Sequence, residues 1–145
     1  MALCENKILA KTLSNDKTKI MTENEIAKIV VNICYNIHVE LGPGLLESVY
    51  EEILYYELLQ LGLKVERQKA IPVIWKGLNM KQGFRTDLIV ENKVIIELKS
   101  VEIIAPVHPK QLLTYLKITG LKLGLLINFN EKLIKNGITR IVNNL

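Results

Sequence analysis

The sequence predicts one domain with an α/β (α+β) fold, in which helices flank a mixed β-sheet. Three observations lead to this fold class. Apolar residues recur at helical spacing between residues 22 and 61, and they form strand-length apolar or alternating runs between residues 63 and 100. A third helical pattern then precedes two final strands. The predicted element order is therefore α-α-β-β-β-β-α-β-β.

The first predicted helix has a clear start signal. Thr22 and Glu25 have the spacing of a capping box. An apolar stripe at helical spacing follows, formed by Ile26, Ile29, Val30, Ile33, Cys34, Ile37 and Leu41. The segment "LGPG" (Leu41–Gly44) ends this helix, and a second helix is predicted over Leu45–Leu61, with Gly62 to end it.

Four strands are predicted in the middle of the chain: Leu63–Gln68, Ala70–Trp75, Gly83–Val90 and Val94–Ser100. Pro72 indicates a sheet edge or a bulge, because proline has no N–H to donate to a ladder. The last two strands flank only the residues 91–93, "ENK", so they form a hairpin.

The last part of the chain returns to a helix and then to strands. The third helix is predicted over His108–Thr119 and ends near Gly120. The strongly apolar segment Leu121–Phe129 predicts a central strand, and Gly137–Asn143 predicts a short final one.

Composition narrows the class of protein. The chain has 145 residues, of which 49% are hydrophobic and 23% charged, as in ordinary globular domains. No apolar run approaches the roughly 20 residues that span a bilayer, and no secretory signal is visible. Residues 1–21 are expected to form a loose leader before a single domain at residues 22–145. Cys4 and Cys34 lack metal-ligand and disulfide spacing, so we expect Cys34 to be a buried thiol in a cytoplasmic protein.

Charge is unevenly distributed along the chain. The net charge is +4, but residues 22–107 hold nine basic and twelve acidic side chains, whereas residues 108–145 hold six basic and one acidic. A basic end beside an acidic middle suits a polyanion that approaches a metal site. A solvated lysine-rich surface explains the same pattern, so both interpretations stay open.

The predicted hairpin brings two acids together. If residues 91–93 form the loop, Val90 faces Val94 and Asp87 falls directly opposite Glu97, with Cβ atoms about 4.5–5.5 Å apart. Two opposed carboxylates repel each other, and a cation between them reverses the sign of that interaction. A two-residue loop would separate the acids, so this prediction depends on the register.

Mg²⁺ suits such a pair, because it takes oxygen ligands from one or two carboxylates, waters and a substrate phosphate. Lys99 lies two residues after Glu97 on the same face, where an ammonium group could position a water or stabilise charge on a phosphorane-like transition state. These residues make a hydrolytic metal site plausible. The alternative, a surface ion pair of Glu97 and Lys99 on a half-exposed strand, stays open.

Further polar residues stand at helical spacing. Glu47 shares a predicted helical face with Tyr50 and with Glu51, and Gln111 stands four residues before Tyr115. For Glu51, as for Glu52, an interaction with the N-terminal helix dipole is sufficient.

The two histidines have no partner at metal-ligand spacing. His108 is therefore expected to be a capping or surface residue, and His38 a helix-surface residue.

These segments together resemble the GxxExxY proteins, a group within the PD-(D/E)XK nuclease-like superfamily. The naming motif is Gly44-Leu45-Leu46-Glu47-Ser48-Val49-Tyr50. The later blocks "RTDLIV", "VIIELKS", "PVHPKQLLTYLKITGLKLGLLINF" and "GITRIV" follow in order, so that the resemblance covers about residues 23–143. One position departs from the superfamily name, because Thr86 rather than proline precedes Asp87.

The resemblance implies a restriction-endonuclease-like core and a set of site residues. Asp87 would be the main metal-binding aspartate, Glu97 a metal ligand and Lys99 the catalytic lysine. Glu47 would join the metal shell from its helix, and Gln111 would help to hold the site or the substrate. The backbone carbonyl of Leu98 is a further candidate ligand.

The resemblance implies Mg²⁺- or Mn²⁺-dependent hydrolysis of phosphodiester bonds. The implied partner is a nucleic acid, with DNA expected before RNA. A non-catalytic module on the same fold, binding nucleic acid or protein, is the main alternative. A hydrolase of another phosphate ester, such as a nucleotide, is a third, and would need a small closed pocket. The sequence leaves four points open: whether the chain forms a homodimer, whether it acts on DNA or RNA, whether it is an endonuclease or an exonuclease, and which sites it cleaves.

Overall fold

The computed structural model describes residues 19–145, and its first helix begins at the predicted capping box. Thr22 Oγ1 accepts the N–H of Glu25 at 3.2 Å, and the Glu25 carboxylate accepts the N–H of Thr22 at 2.8 Å. Helix α1 runs Glu23–Leu41, and helix α2 runs Glu47–Gln60. The predicted leader lies, for residues 1–18, outside the described residues.

The predicted mixed sheet is confirmed and has five strands in the order β1-β4-β5-β6-β7. Their bounds are β1 Val65–Ile71, β4 Phe84–Val90, β5 Val94–Lys99, β6 Leu123–Asn128 and β7 Ile138–Val142. Strands β5 and β6 pair in parallel, and the other neighbouring strands are antiparallel. Helix α3, Val107–Thr119, connects the parallel pair, because parallel neighbours need a long crossover.

The predicted division of residues 63–75 into two sheet strands is wrong. Strand β1 continues through Gln68 to Ile71, and Pro72 ends it because proline has no ladder donor. The chain then forms a separate hairpin of β2 Ile74–Trp75 and β3 Leu78–Asn79, the second of which was not predicted. The chain thus has one more strand before α3 than the sequence predicts.

The two faces of the sheet bury separate clusters. Helices α1 and α2 cover the larger one, which includes Tyr50 and Ile96. Helix α3 covers the smaller one: Ile89, Ile95, Leu112, Leu116 and Leu126. Gly124 of β6 allows α3 to lie close to the sheet, because a Cβ there would stand only 2.8 Å from the Leu112 side chain.

Strand β1 changes face at Gln68. Val65 packs against the α1 and α2 cluster and Ile71 against the α3 cluster, although the two positions are six apart along the strand. Residues at even separation share a face of a regular strand, so the strand must turn over between them. Gln68 has a φ of 52°, the left-handed conformation that makes this reversal. It lies opposite Asp87 in the β1–β4 register, since Arg67 pairs with Leu88 and Lys69 with Thr86.

Two further predictions about single residues have different outcomes. Cys34 is a free, fully buried thiol, as predicted. His38 is not a surface residue: its side chain is buried, and its Nε2 lies 2.7 Å from the Glu131 carbonyl oxygen. The loop after β6 folds back on α1 and covers it. No helix among residues 19–145 is long and apolar enough to cross a membrane.

Candidate active site

The β4–β5 hairpin has the predicted register. Val90 pairs with Val94 around the three-residue loop, and the ladder continues to Leu88 and Ile96. Asp87 and Glu97 are the next residues on the two strands, where regular pairing ends. Asp87 Oδ2 accepts the N–H of Leu98 at 2.8 Å, and Glu97 Oε1 lies 3.4 Å from the N–H of Asp87. Carboxylate oxygens thus replace carbonyl oxygens as backbone acceptors at this end of the hairpin.

The environment of Glu97 favours its neutral form. Burial is the main cause, the charge of Asp87 adds to it, and together they raise the pKa of Glu97 to about 8. The Lys99 ammonium group acts in the opposite direction but does not cancel these effects. A cation beside Asp87 and Glu97 would instead favour the ionised pair, so the site has the electrostatics of a cation site.

Lys99 extends from the end of β5 beside a very small cavity. Glu97, His108, Gln111 and Tyr115 are among the other lining residues. The cavity volume is about 10 Å³, close to the size at which one water fits. Within residues 19–145, no ion pair engages Lys99, so its ammonium group is available to a molecule in this cavity.

Glu47 borders the site at the first turn of α2. Burial raises its pKa, the Lys99 charge lowers it and the Asp87 charge raises it, so that its carboxylate lies within electrostatic reach of both. Ser100 Oγ donates to the Leu45 carbonyl at 2.9 Å and ties this helix start to the end of β5. Glu47 nevertheless does not complete a three-ligand metal cluster, and none was found among the residues that the structure describes.

The tyrosine of the GxxExxY motif has a structural role. Tyr50 is fully buried and stacks on Phe129 with ring centroids 4.2 Å apart. Its hydroxyl donates to the Gly42 carbonyl at 2.6 Å and accepts the N–H of Leu45 at 3.2 Å. Tyr50 therefore fixes the loop that delivers Glu47 to the site, without contacting the site itself.

Glu51 does not act only through the helix dipole, as the sequence analysis expected, because its carboxylate binds side chains of β1. Its side chain is 7% exposed, and Arg67 Nε donates to its Oε2 at 2.9 Å. Gln68 Nε2 donates to Glu51 Oε1 at 2.5 Å and lies 3.2 Å from Asp87 Oδ1. A chain of contacts thus runs from Arg67 through Glu51 and Gln68 to Asp87 and holds the Asp87 carboxylate from the side away from Glu97.

Helix α3 adds three polar residues to the opposite wall. Gln111 lines the cavity, as does Tyr115, whose pKa is raised by burial and by the charges of Glu97 and Asp87. His108 is not simply a capping or surface residue, because it lines the same cavity and its buried Nδ1 has no hydrogen-bond partner among residues 19–145. Phe84 of β4 stacks on Tyr115 with centroids 3.9 Å apart.

Sequence reasoning named Asp87, Glu97, Lys99 and Gln111, and the fold brings these residues to one end of the hairpin. It missed Gln68, and it assigned His108 a capping or surface role instead of a place in the site. No local pattern identifies Gln68, because its importance depends on a left-handed backbone and on the approach of α2. The short separation of His108 from Gln111, one helical turn, was the available signal for His108.

The donor set fits a hard divalent cation. Asp87 and Glu97 offer carboxylate oxygens in one gap, and Mg²⁺ commonly takes one or two carboxylates and completes its shell with waters and phosphate oxygens. A closed structural site with thiolate or imidazole ligands does not fit these residues.

The mixed sheet, the flanking helices and the acidic end of the hairpin define the chain as a nuclease-like α+β domain. The family model of the PD-(D/E)XK nuclease superfamily matches residues 24–141, so the chain belongs to this superfamily. Nucleases of the superfamily generally use divalent metal ions. No curated protein and no solved structure gives a significant match to the chain.

Proposed function

We propose that this protein is a Mg²⁺- or Mn²⁺-dependent nuclease that hydrolyses phosphodiester bonds in DNA. One observation carries the proposal: Asp87 and Glu97 share the open end of the hairpin, and Lys99 follows on the same strand beside a water-sized cavity. Superfamily membership makes a nucleic acid the expected substrate. The choice of DNA over RNA rests on the sequence resemblance alone.

Each residue has a distinct proposed role. Asp87 and Glu97 would hold the metal ion, with Glu47 and the Leu98 carbonyl as supplementary ligands. When bound, the ion supplies Lewis-acid polarisation of the scissile phosphate and lowers the pKa of a water.

The remaining roles belong to polar groups around the cavity. The Lys99 ammonium group would orient the attacking water and stabilise negative charge that develops on the phosphate oxygens. Gln111 would hold either that water or a phosphate oxygen from the α3 side of the cavity, which it lines.

The main alternative is a non-catalytic module that binds nucleic acid or protein on the same fold. The incomplete three-ligand set among residues 19–145 favours it, because a binding module has no need to retain a metal shell. A nucleotide phosphatase has less support. The cavity beside Lys99 has about 10 Å³, whereas pockets that enclose small molecules are about 300–1,000 Å³.

The first test is calorimetric titration of Mg²⁺ and Mn²⁺ into the wild type and Asp87→Asn. We expect the wild type to bind and the variant to lose most of its affinity. At pH 9, where Glu97 is ionised, metal-free Asp87→Asn is expected to be more stable than the wild type, because the substitution relieves the repulsion with Glu97. Both titrations are repeated with an uncleavable oligonucleotide, since substrate phosphate can complete a Mg²⁺ site.

Cleavage of labelled DNA and RNA with each metal completes the test. Metal-dependent cleavage that Asp87→Asn loses supports the nuclease. An absence of metal binding with and without oligonucleotide, together with saturable nucleic-acid binding and no cleavage, would replace the nuclease with the binding module.

A further inference from the structure

An exposed hairpin projects from the sheet next to the proposed site. Residues 72–83, the arm, leave strand β1 at Pro72, form the β2–β3 hairpin and return to β4. Its turn is Lys76–Gly77, with φ values of 49° and 78°, as in the two-residue turns of tight hairpins. The arm is thus a defined structural element.

The arm exposes its apolar side chains instead of burying them. Ile74, Trp75 and Leu78 are 61%, 65% and 65% exposed, and Met80 is 38% exposed. An isolated two-stranded hairpin is at best marginally stable, and this one has no core of its own. Clustered exposed apolar residues of this kind mark a binding surface.

The charge around the arm has a single sign. Lys76 and Lys81 belong to the arm, Arg85 stands at its base, and no acidic residue occurs between Glu66 and Asp87. Lys76 Nζ lies 5.9 Å from the centroid of the Trp75 ring. Cations beside an exposed aromatic ring are the combination with which proteins hold single-stranded nucleic acid, through phosphates and stacked bases.

The arm also leads directly to the site. An open cleft of about 670 Å³ lies at its base, where Met80 and Lys81 face Phe84 and Arg85 of β4. Phe84 stacks on Tyr115, which lines the small cavity beside Lys99. Arg85 stands two residues before Asp87, about 7 Å along the strand.

We propose that the arm and its cleft form the surface on which a single-stranded segment of nucleic acid lies as it enters the site, with Trp75 stacked on a base and Lys76, Lys81 and Arg85 at phosphates. A second copy of this chain fits less well, because a symmetric contact through the arm would bring its lysines together without an acidic partner. The inference rests on the proposed function in one respect: it assumes that the strand continues to Asp87 and Glu97.

Trp75 is the sole tryptophan of the chain, so its fluorescence reports directly on the arm. The wild type is titrated with a twelve-nucleotide oligothymidylate in metal-free buffer, which keeps the strand intact. We expect saturable quenching of the wild-type fluorescence. Binding by Trp75→Ala is measured from the anisotropy of a labelled strand, because this variant has no tryptophan. We expect this variant to bind about tenfold more weakly. Tyr35, an aromatic residue on α1 that is 56% exposed, provides the matched control, and Tyr35→Ala should bind like the wild type.

Salt dependence tests the cations independently of the ring. Lys81→Gln should reduce the slope of log Kd against log salt by about 0.7, the value for one lost phosphate contact on a single strand. Lys28→Gln on α1 should leave the slope unchanged. Unquenched fluorescence together with wild-type affinity of Trp75→Ala would overturn the proposal. So would tighter binding of a duplex without quenching, or self-association through the arm in sedimentation.

A small substrate separates this proposal from the proposed function. Bis(p-nitrophenyl) phosphate has no strand for the arm to hold, so Trp75→Ala should hydrolyse it like the wild type while losing DNA cleavage. Quenching without hydrolysis of either substrate would support strand binding by the arm and contradict the proposed nuclease activity. Equal DNA cleavage by the wild type and Trp75→Ala, without quenching, would overturn the arm and leave the nuclease intact.

Discussion

The two ends of the β4–β5 hairpin use the same backbone in opposite ways. At the turn end, three successive residue pairs form a regular ladder of buried apolar side chains, from Val90 and Val94 to Leu88 and Ile96. At the open end, the Asp87 carboxylate accepts the N–H of Leu98, and Glu97 is held in a half-buried position where its neutral form is favoured. The turn end packs apolar side chains, whereas the open end holds the carboxyl groups of Asp87 and Glu97 close together.

This difference separates stability from chemistry within a few residues. Ile95 packs against α3 and Ile96 against α1 and α2, so the turn end joins both clusters of the core. The open end is surrounded by polar groups from four elements, α2, β1, β5 and α3. Substitutions at the turn end should therefore change the free energy of unfolding, whereas substitutions at the open end should change metal binding and turnover.

The largest effect is expected for Lys99→Ala. The variant should lose about 10²–10⁴-fold in DNA cleavage, the usual contribution of a positioned acid–base group, while its melting temperature and Mg²⁺ affinity stay close to those of the wild type. The first-order rate of cleavage of labelled DNA, measured with enzyme in excess over substrate, gives the loss. Lys117→Ala, on the exposed side of α3, is the control, and equal turnover by both variants would remove Lys99 from the mechanism.

At the turn end, Ile96→Ala should act on stability alone. The side chain is fully buried, so its truncation should lower the free energy of unfolding by up to about 5 kcal/mol in urea denaturation. The folded fraction should bind Mg²⁺ with wild-type affinity. Ile103→Ala, at a position 80% exposed, should change stability by less than about 0.5 kcal/mol. A loss of metal affinity in folded Ile96→Ala would show that the two ends are coupled.

The open end should also make the metal-free protein sensitive to pH. The pKa of Glu97 rises from an ordinary 4.5 to about 8 on folding, so the folded state binds this proton more tightly than the unfolded state. The resulting stabilisation is complete below pH 4.5 and is lost as the pH rises through 8, a change on the order of 5 kcal/mol. Glu97→Gln should lack this component.

The difference between the stability curves of the wild type and Glu97→Gln isolates this residue, because other titrating groups contribute to both curves. Saturating Mg²⁺ should remove most of the loss in the wild type, since a bound cation favours the ionised carboxylate. Parallel curves between pH 4.5 and 8 without metal would contradict the assigned environment of Glu97.

The hairpin and its acids were predictable because they depend on local rules. The three-residue loop and the period-two pattern set the register, and the register alone places Asp87 opposite Glu97. The capping box at Thr22 and the thiol of Cys34 follow equally from spacing along one helix.

Features that depend on contacts between distant segments could not be predicted in this way. His38 is buried because the loop at Glu131 covers it, and Glu51 is buried because Arg67 and Gln68 reach it from β1. The arm is an intermediate case. Pro72 indicated a sheet edge or a bulge, and the "KG" turn after Ile74 and Trp75 was a hairpin signal whose second strand, Leu78–Asn79, was too short to recognise.

The smallest expected effect concerns Gln68, which connects the two kinds of region. Gln68→Ala removes the amide that contacts Glu51 and Asp87 but keeps a side chain on a left-handed residue, so metal affinity should fall about tenfold. Gln68→Gly removes the same amide and also relieves the backbone strain, worth about 1 kcal/mol.

Calorimetry and urea denaturation of both variants separate the two contributions. Metal affinity should fall equally in Gln68→Ala and Gln68→Gly, whereas the glycine variant should be more stable than the alanine variant by about 1 kcal/mol. Gln60→Ala, an exposed glutamine at the end of α2, controls for the loss of an amide elsewhere. Wild-type metal affinity in both Gln68 variants would show that Asp87 needs no support from β1, and that the backbone at Gln68 serves only to turn the strand.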